Sequence, residues 1–369
     1  MGKQHLHRLQ NFFKLAKSRL KPYVRYVILG GTFLFIAKAF FTHWREVANI
    51  QIRAESFPLL AIALGITLMS LIFVGWVWML ILREFNQVVS VRWAIQIFLK
   101  TNIAKYLPGN IWHFWGRISE AKKAGISPKV SILSVLLEPL LMASAGVLIG
   151  LICFDKFNGF LRTFGCAAIL TAIQPRILNP IVLFVERLKL SKKNGENSEI
   201  GEEIGEEIGE EIGKIGEEIE EVAGDRPTWR LGSSSNLAKN TSGVKSSPAI
   251  NLPIKRYPLV PLIGQMCFIG LRGCGFLLTV MALNPVNLID IPNLFGAFCF
   301  AFVVGLVVPG APGGMGVFEA TAIALLSDRF SVAIILSAVA LYRIVSILAD
   351  VAGAAVAKID RQRRQVKRR

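Results

Sequence analysis

Glu138, Arg272, Glu319 and Arg343 are ionisable residues set inside stretches that are otherwise apolar. A charge at the centre of a bilayer costs roughly 2.5–3.5 kcal/mol on insertion scales, so each needs a partner or a watery cavity. Two chemistries fit such residues. In one, they neutralise each other and hold helices together, Glu138 or Glu319 pairing with Arg272 or Arg343. In the other, they line a polar cavity whose arginines grip a lipid phosphate in fork geometry, with Glu319 facing a cationic or hydroxylated headgroup. Asp350 falls nearer the end of its apolar run, within reach of solvent. Lys100, Lys105, Asn110, His113 and Arg117 belong to a different, punctuated stretch.

The elements that must position these groups are unusual. Residues 305–320 read Gly-Leu-Val-Val-Pro-Gly-Ala-Pro-Gly-Gly-Met-Gly-Val-Phe-Glu-Ala, between apolar runs at 293–308 and 321–326. Pro309 and Pro312 remove backbone donors, and Gly310, Gly313, Gly314 and Gly316 weaken helix, so no continuous helix should survive here. Broken backbone at membrane depth is tolerated only where protein or a water-filled cavity satisfies its polar groups. The segment is either an ordinary loop between two spans or a re-entrant hairpin lining a site, as in transporters with discontinuous helices. A helix starting near 314–318 would also present backbone donors to an anion.

Residues 93–118 carry a second break, at Pro108-Gly109, which leaves each arm too short to cross alone. Tyr106, Trp112, Phe114 and Trp115 suit an interfacial depth. The choice here is between a pair of surface helices and a second re-entrant hairpin. The two broken texts rhyme: Tyr106-Leu-Pro-Gly, then Gly116 and Glu120; Val308-Pro-Gly, then Gly316 and Glu319. If they are inverted counterparts meeting near the midplane, they must touch.

Composition sets the class. Of 369 residues, 53% are hydrophobic and only 18% charged, against roughly 25% in a soluble domain. Several apolar runs reach the roughly 20 residues that cross a bilayer. The net charge of +17 gathers at the two ends and beside the spans, which fits anionic headgroups and not nucleic acid. The five cysteines lie in or beside apolar runs without CxxC spacing and read as small hydrophobes. No cleavable signal peptide is expected, because a long basic segment precedes the first apolar run. GxxxxGK[ST], HExxH and GxSxG are all absent, and the four histidines suggest no metal cluster. No catalytic residue, metal or cofactor is expected.

The chain divides into a basic amphipathic or disordered segment (1–23), a first membrane half (24–187), a low-complexity insertion (188–256), a second membrane half (257–357) and a basic tail (358–369). The expected spans are 24–41, 57–82, 130–154, 160–183 (interrupted by Gln174-Pro175-Arg176 and Pro180), 257–283 and 331–357. The insertion holds a near-repeat of Gly-Glu-Glu-Ile; its glycines cost about 1 kcal/mol each relative to alanine and its charges repel, so it reads as solvated. Basic termini place both ends in the cytosol. The expectation is an all-α polytopic membrane protein of the inner cell membrane, with six to eight transmembrane helices and two Pro/Gly-broken re-entrant hairpins.

Lys105-Tyr-Leu-Pro-Gly-Asn, Gln174-Pro-Arg-Ile-Leu-Asn-Pro, Val308-Pro-Gly-Ala-Pro-Gly-Gly-Met-Gly-Val-Phe-Glu-Ala and Leu341-Tyr-Arg together resemble the lysylphosphatidylglycerol synthetase transmembrane family, in a stand-alone form. The resemblance covers roughly 24–357 without the insertion. It implies a membrane domain with re-entrant helices that moves polar or aminoacylated phospholipids between leaflets, and it singles out Gly313, Gly314, Gly316, Glu319 and Arg343. The soluble aminoacyl-transferase domain is absent, and Glu138-Pro139 stands where a Glu-Arg pair is expected. The candidate substrate-binding set is therefore Arg272, Glu319, Arg343, Glu138, Gly313, Gly314, Gly316, Lys105, Asn110 and Arg117, with a membrane phospholipid as partner and a homo-oligomer left open. The competing class is a membrane-embedded accessory protein or enzyme of polar-lipid or glycan synthesis, acting on lipid-linked phosphates.

Overall fold

The computed structural model describes residues 54–106, 112–177, 179, 257–308 and 312–368. The amphipathic segment, the span at 24–41, the insertion and Asn110 lie outside the described residues. Contacts divide the chain into two units; all described residues except Asn179 belong to the first, Met1–Leu178 with Ile254–Arg369.

Every described element is helical: α1 (Phe57–Glu84), α2 (Val91–Asn102), α3 (Trp112–Lys123), α4 (Pro128–Cys153), α5 (Gly159–Ala172), α6 (Leu259–Leu283), α7 (Ile291–Val307), α8 (Val317–Leu326) and α9 (Val332–Arg368). Single tight turns follow α2 (Ile103–Tyr106), precede α7 (Leu288–Asp290) and separate α7 from α8 (Pro312–Gly314). Five stretches are long and apolar enough to cross a membrane: Ala54–Glu84, Pro128–Cys153, Leu259–Leu283, Leu288–Val307 and Val332–Asp360. Their outward faces carry residues such as Met69, Leu136, Ile152 and Leu348, all more than a third exposed. The chain is an all-helical, multi-pass membrane protein.

Local chemistry starts the helices where they start. Ser90 accepts the Trp93 amide at the head of α2, and Asn158 accepts that of Leu161 at the head of α5. Prolines occupy the first turns of α1, α4 and α7, where a missing amide hydrogen costs nothing. The run at 160–183 is broken where the sequence interrupts it: α5 ends at Ala172, ahead of Gln174-Pro175, and its 14 residues reach only about 21 Å.

Polar contacts sort the helix ends. At one end of the bundle, the Ser56 hydroxyl donates to the Ala282 carbonyl at 2.6 Å, joining the start of α1 to the end of α6. At the same end, Arg329 bridges Asp155 (2.5 Å) and Asp290 (2.9 Å), and Asn293 donates to Asp155 at 2.9 Å. Lys156 pairs with Asp328. Thus α7 leaves from, and α8 returns to, the end where α4 finishes. At the opposite end, Arg92 at the start of α2 pairs with Asp360 of α9 at 2.7 Å. Stacking of Trp78 on Trp93, centroids 5.7 Å apart, clamps α2 against the last turns of α1. The segment from α2 to α3 begins and finishes at that end.

Candidate functional site

An aromatic nest sets the frame. Phe276 of α6 and Phe298 of α7 stack at 5.3 Å, and Phe318 of α8 and Tyr342 of α9 meet both edge-on, within 5.5 to 6.2 Å. Such offset and edge-on pairs contribute about 0.5–1.5 kcal/mol each beyond their buried area. Each charged residue of interest is anchored by a ring of this nest. Arg272 lies one helical turn before Phe276, Glu319 follows Phe318, and Arg343 follows Tyr342.

Arg343 pairs with Glu319, which is buried, and its terminal nitrogens donate to the Gly313 and Gly314 carbonyls at 3.3 and 3.2 Å. The guanidinium thereby satisfies backbone acceptors that the break in the helix releases. Gly313, Gly314 and Gly316 all take positive φ (58°, 70° and 87°), a region that only glycine enters at little cost. The other Glu319 oxygen accepts the Gly316 amide at 2.7 Å. The start of α8, which the sequence offers to an anion, is therefore already occupied in part by the chain's own carboxylate.

Asp350 is the largest correction. Instead of being solvated, it is 2% exposed and satisfied on both oxygens. Oδ1 accepts from Asn102 at 2.7 Å; Oδ2 accepts from the Tyr106 hydroxyl at 2.6 Å and the Lys105 ammonium at 2.7 Å. The two broken segments meet at this point: a Cβ added to Gly313 would lie 3.7 Å from the Tyr106 ring. Burial lowers the Lys105 pKa despite Asp350; Arg272 and Arg343 push it the same way. Burial and Asp350 raise the Tyr106 pKa, while the same two arginines oppose the rise. Lys105, Tyr106, Asp350, Arg272 and Arg343 thus share one electrostatic neighbourhood.

Arg272 differs from its neighbours. It is 8% exposed, and its Nε and Nη1 are buried without a hydrogen-bond partner. Its guanidinium lies 5.8 Å from the centre of the Tyr342 ring, and the Tyr342 hydroxyl donates to its carbonyl at 3.1 Å. The backbone and the ring fix the side chain; no carboxylate neutralises it among the described residues.

Glu138 pairs with neither Arg272 nor Arg343. Its partner is Arg117 of α3, and both side chains are 3% exposed. The Arg117 guanidinium also faces Phe98 (4.7 Å), Phe114 (5.3 Å) and Trp78 (5.9 Å). Pairing the charges of the spans with one another misses this contact because Arg117 belongs to the punctuated stretch, whose helix α3 folds back beside α4. His113 experiences both groups: burial first, then Arg117 and Lys105, push its pKa down to about 3, so the ring is neutral at pH 7.

Of the residues expected from sequence, Lys105, Arg272, Glu319, Arg343, Gly313, Gly314 and Gly316 come together, while Arg117 and Glu138 form a separate, satisfied pair. Asn102, Tyr106 and Asp350 join the cluster unannounced. A signal existed: Asn102, Lys105 and Tyr106 fall at three- and four-residue spacing, which puts polar groups on one face of a helical turn. No protein-family model matches the chain, and no curated protein matches it.

Proposed function

We propose that the protein carries a polar phospholipid between leaflets, sheltering its headgroup where two re-entrant hairpins meet. The observation that carries this reading is the close approach of the broken segments, Tyr106 against Gly313, beside an arginine whose Nε and Nη1 are buried without a hydrogen-bond partner. On this reading α7 and α8 enter and leave at one membrane face, and the segment from α2 to α3 at the other. α8 supports it: its 10 residues reach only about 15 Å, half of a 30 Å hydrocarbon core. Full crossings are then α1, α4, α6 and α9, with 24–41 and 160–183 completing six. Charge supports the orientation. Arg83, Arg92, Lys122, Lys123, Lys129 and Lys358 gather at one end, which is cytosolic, whereas the other carries Lys156, Arg162 and Arg329 beside Glu55, Asp155, Asp290 and Asp328.

The mechanism needs no bond broken in the lipid. Arg272 supplies guanidinium donors to the phosphate, Arg343 holds the broken backbone that frames the site, and the paired acids keep the remaining cations from repelling one another. The test is movement of tail-labelled phospholipid in reconstituted vesicles. Arg272→Ala and Arg343→Ala should each slow it at least tenfold while the protein remains monodisperse and helical. Unchanged movement in both variants would overturn the assignment.

A further inference from the structure

We propose, resting on the translocation reading, that the site selects a headgroup with one net negative charge, a phosphodiester lacking an amine, and that Arg272 is its phosphate ligand. Among the described residues the cluster contains three cationic side chains, Lys105, Arg272 and Arg343, and two carboxylates, Asp350 and Glu319. Both carboxylates are already engaged. Asp350 accepts from Asn102, Tyr106 and Lys105, and Glu319 from Arg343 and the Gly316 amide. One positive charge is left over, and it resides on the residue with buried, unpartnered nitrogens. The stretches at 107–111 and 309–311, which adjoin the cluster in sequence, read Leu-Pro-Gly-Asn-Ile and Pro-Gly-Ala and contribute no ionisable side chain. His113 is neutral at pH 7 and adds no charge.

A buried cation without a counter-ion is stabilised by an oxoanion delivered from outside. A phosphodiester brings one negative charge and completes the balance. A zwitterionic head restores the excess, and an aminoacylated head doubles it. An added ammonium would find no free carboxylate in the cluster and would crowd Lys105, Arg272 and Arg343; such like-charge contact is how sites reject wrong partners.

The experiment titrates the full-length protein in neutral detergent with phosphatidylglycerol, phosphatidylethanolamine, lysyl-phosphatidylglycerol and inorganic phosphate, the lipids matched in acyl chain, and reads binding by native mass spectrometry. Phosphatidylglycerol should bind at least tenfold tighter than the other two lipids. Arg272→Gln should abolish that preference, and Arg272→Lys should retain part of it. Equal or reversed ranking in the wild-type protein, which needs no variant to fold, overturns the proposal. So does an unchanged preference in Arg272→Gln, or inorganic phosphate binding as tightly as the lipid. The same lipids, labelled on their tails in phosphatidylcholine vesicles, separate the two ideas. Selective binding without crossing sinks translocation and keeps the headgroup assignment; crossing without selectivity does the reverse.

Discussion

Asp350 accepts the phenolic hydrogen of Tyr106 at 2.6 Å, and this bond joins the last long helix to a segment 244 residues earlier in the chain. Lys105 shares the same oxygen. Asp350→Asn would leave a buried ammonium without a counter-ion, a change that costs about 3–5 kcal/mol. The apparent melting temperature in neutral detergent should fall clearly, and Lys105→Met in the same background should restore much of it. A melting temperature equal to wild type would show that the pair contributes nothing.

The same pair gives a pH dependence. The folded Lys105 pKa lies below the ordinary 10.5, so between the two values the unfolded chain holds more protons and stability rises with pH. Tyr106 acts in the opposite sense. Its folded pKa is above the ordinary 10.0, so past that value the folded chain holds more protons and stability falls. Melting temperature should climb as pH rises towards 10 and turn over beyond it. Lys105→Met should flatten the climb, and Tyr106→Phe should remove the turnover.

Arg117 and Glu138 form a closed unit enclosed by aromatic rings. Glu138→Gln alone should destabilise by about 3–5 kcal/mol, whereas Arg117→Met with Glu138→Leu should lie within about 1 kcal/mol of wild type, because apolar replacement of both partners removes the desolvation penalty. A double-mutant cycle measures the coupling. Additive losses would mean that the two residues do not act as a pair.

The glycines of the broken segment should rank in severity. Alanine at Gly313 or Gly314 must adopt a left-handed conformation, costing about 1–2 kcal/mol. At Gly314 a methyl would also press on the Gly305 backbone, with atoms at 3.1 to 3.3 Å, whereas at Gly313 it meets only the Tyr106 ring edge at 3.7 Å. Thermal melts should therefore place Gly314→Ala below Gly313→Ala, and equal losses would mean that conformation alone decides.

Topology is open to chemical labelling in a cysteine-free background. Lys156→Cys and Asp328→Cys should react with an impermeant maleimide from one membrane side only, and Lys123→Cys and Lys358→Cys from the other. Labelling of Asp328→Cys together with Lys123→Cys would mean that α7 and α8 together cross the membrane once and do not return.

Much of this architecture is legible in the sequence because hydropathy marks spans directly and Pro/Gly punctuation marks the breaks. Gly313, Gly314 and Gly316 are readable for the same reason: only glycine supplies the backbone angles they adopt. Partners are harder. Glu138 and Arg117 are 21 residues apart, in different apolar stretches, and their bond depends on how α3 folds back against α4. Asp350 reads as solvated because it lies far from the middle of its apolar run, but distance along a span is not distance from the core. Its burial comes from the segment after α2, which turns inward and covers it. Arg272 stands out as a charge in a span, but that it has no ion-pair partner among the described residues follows only from where their carboxylates fold.

Helix α9 is fastened twice to the same short element. Asp360 holds Arg92 and Gln96 in the first half of α2, and ten residues earlier Asp350 holds Asn102 at its end and Tyr106 just beyond. Two rungs about 15 Å apart make a rigid plank, since neither member can slide or tilt without breaking one of them. Any gating movement at the junction is thereby assigned to the opposing flap. That flap turns on three glycines with left-handed backbone angles and is stapled to the plank side through the guanidinium of Arg343 and the approach of Gly313 to Tyr106.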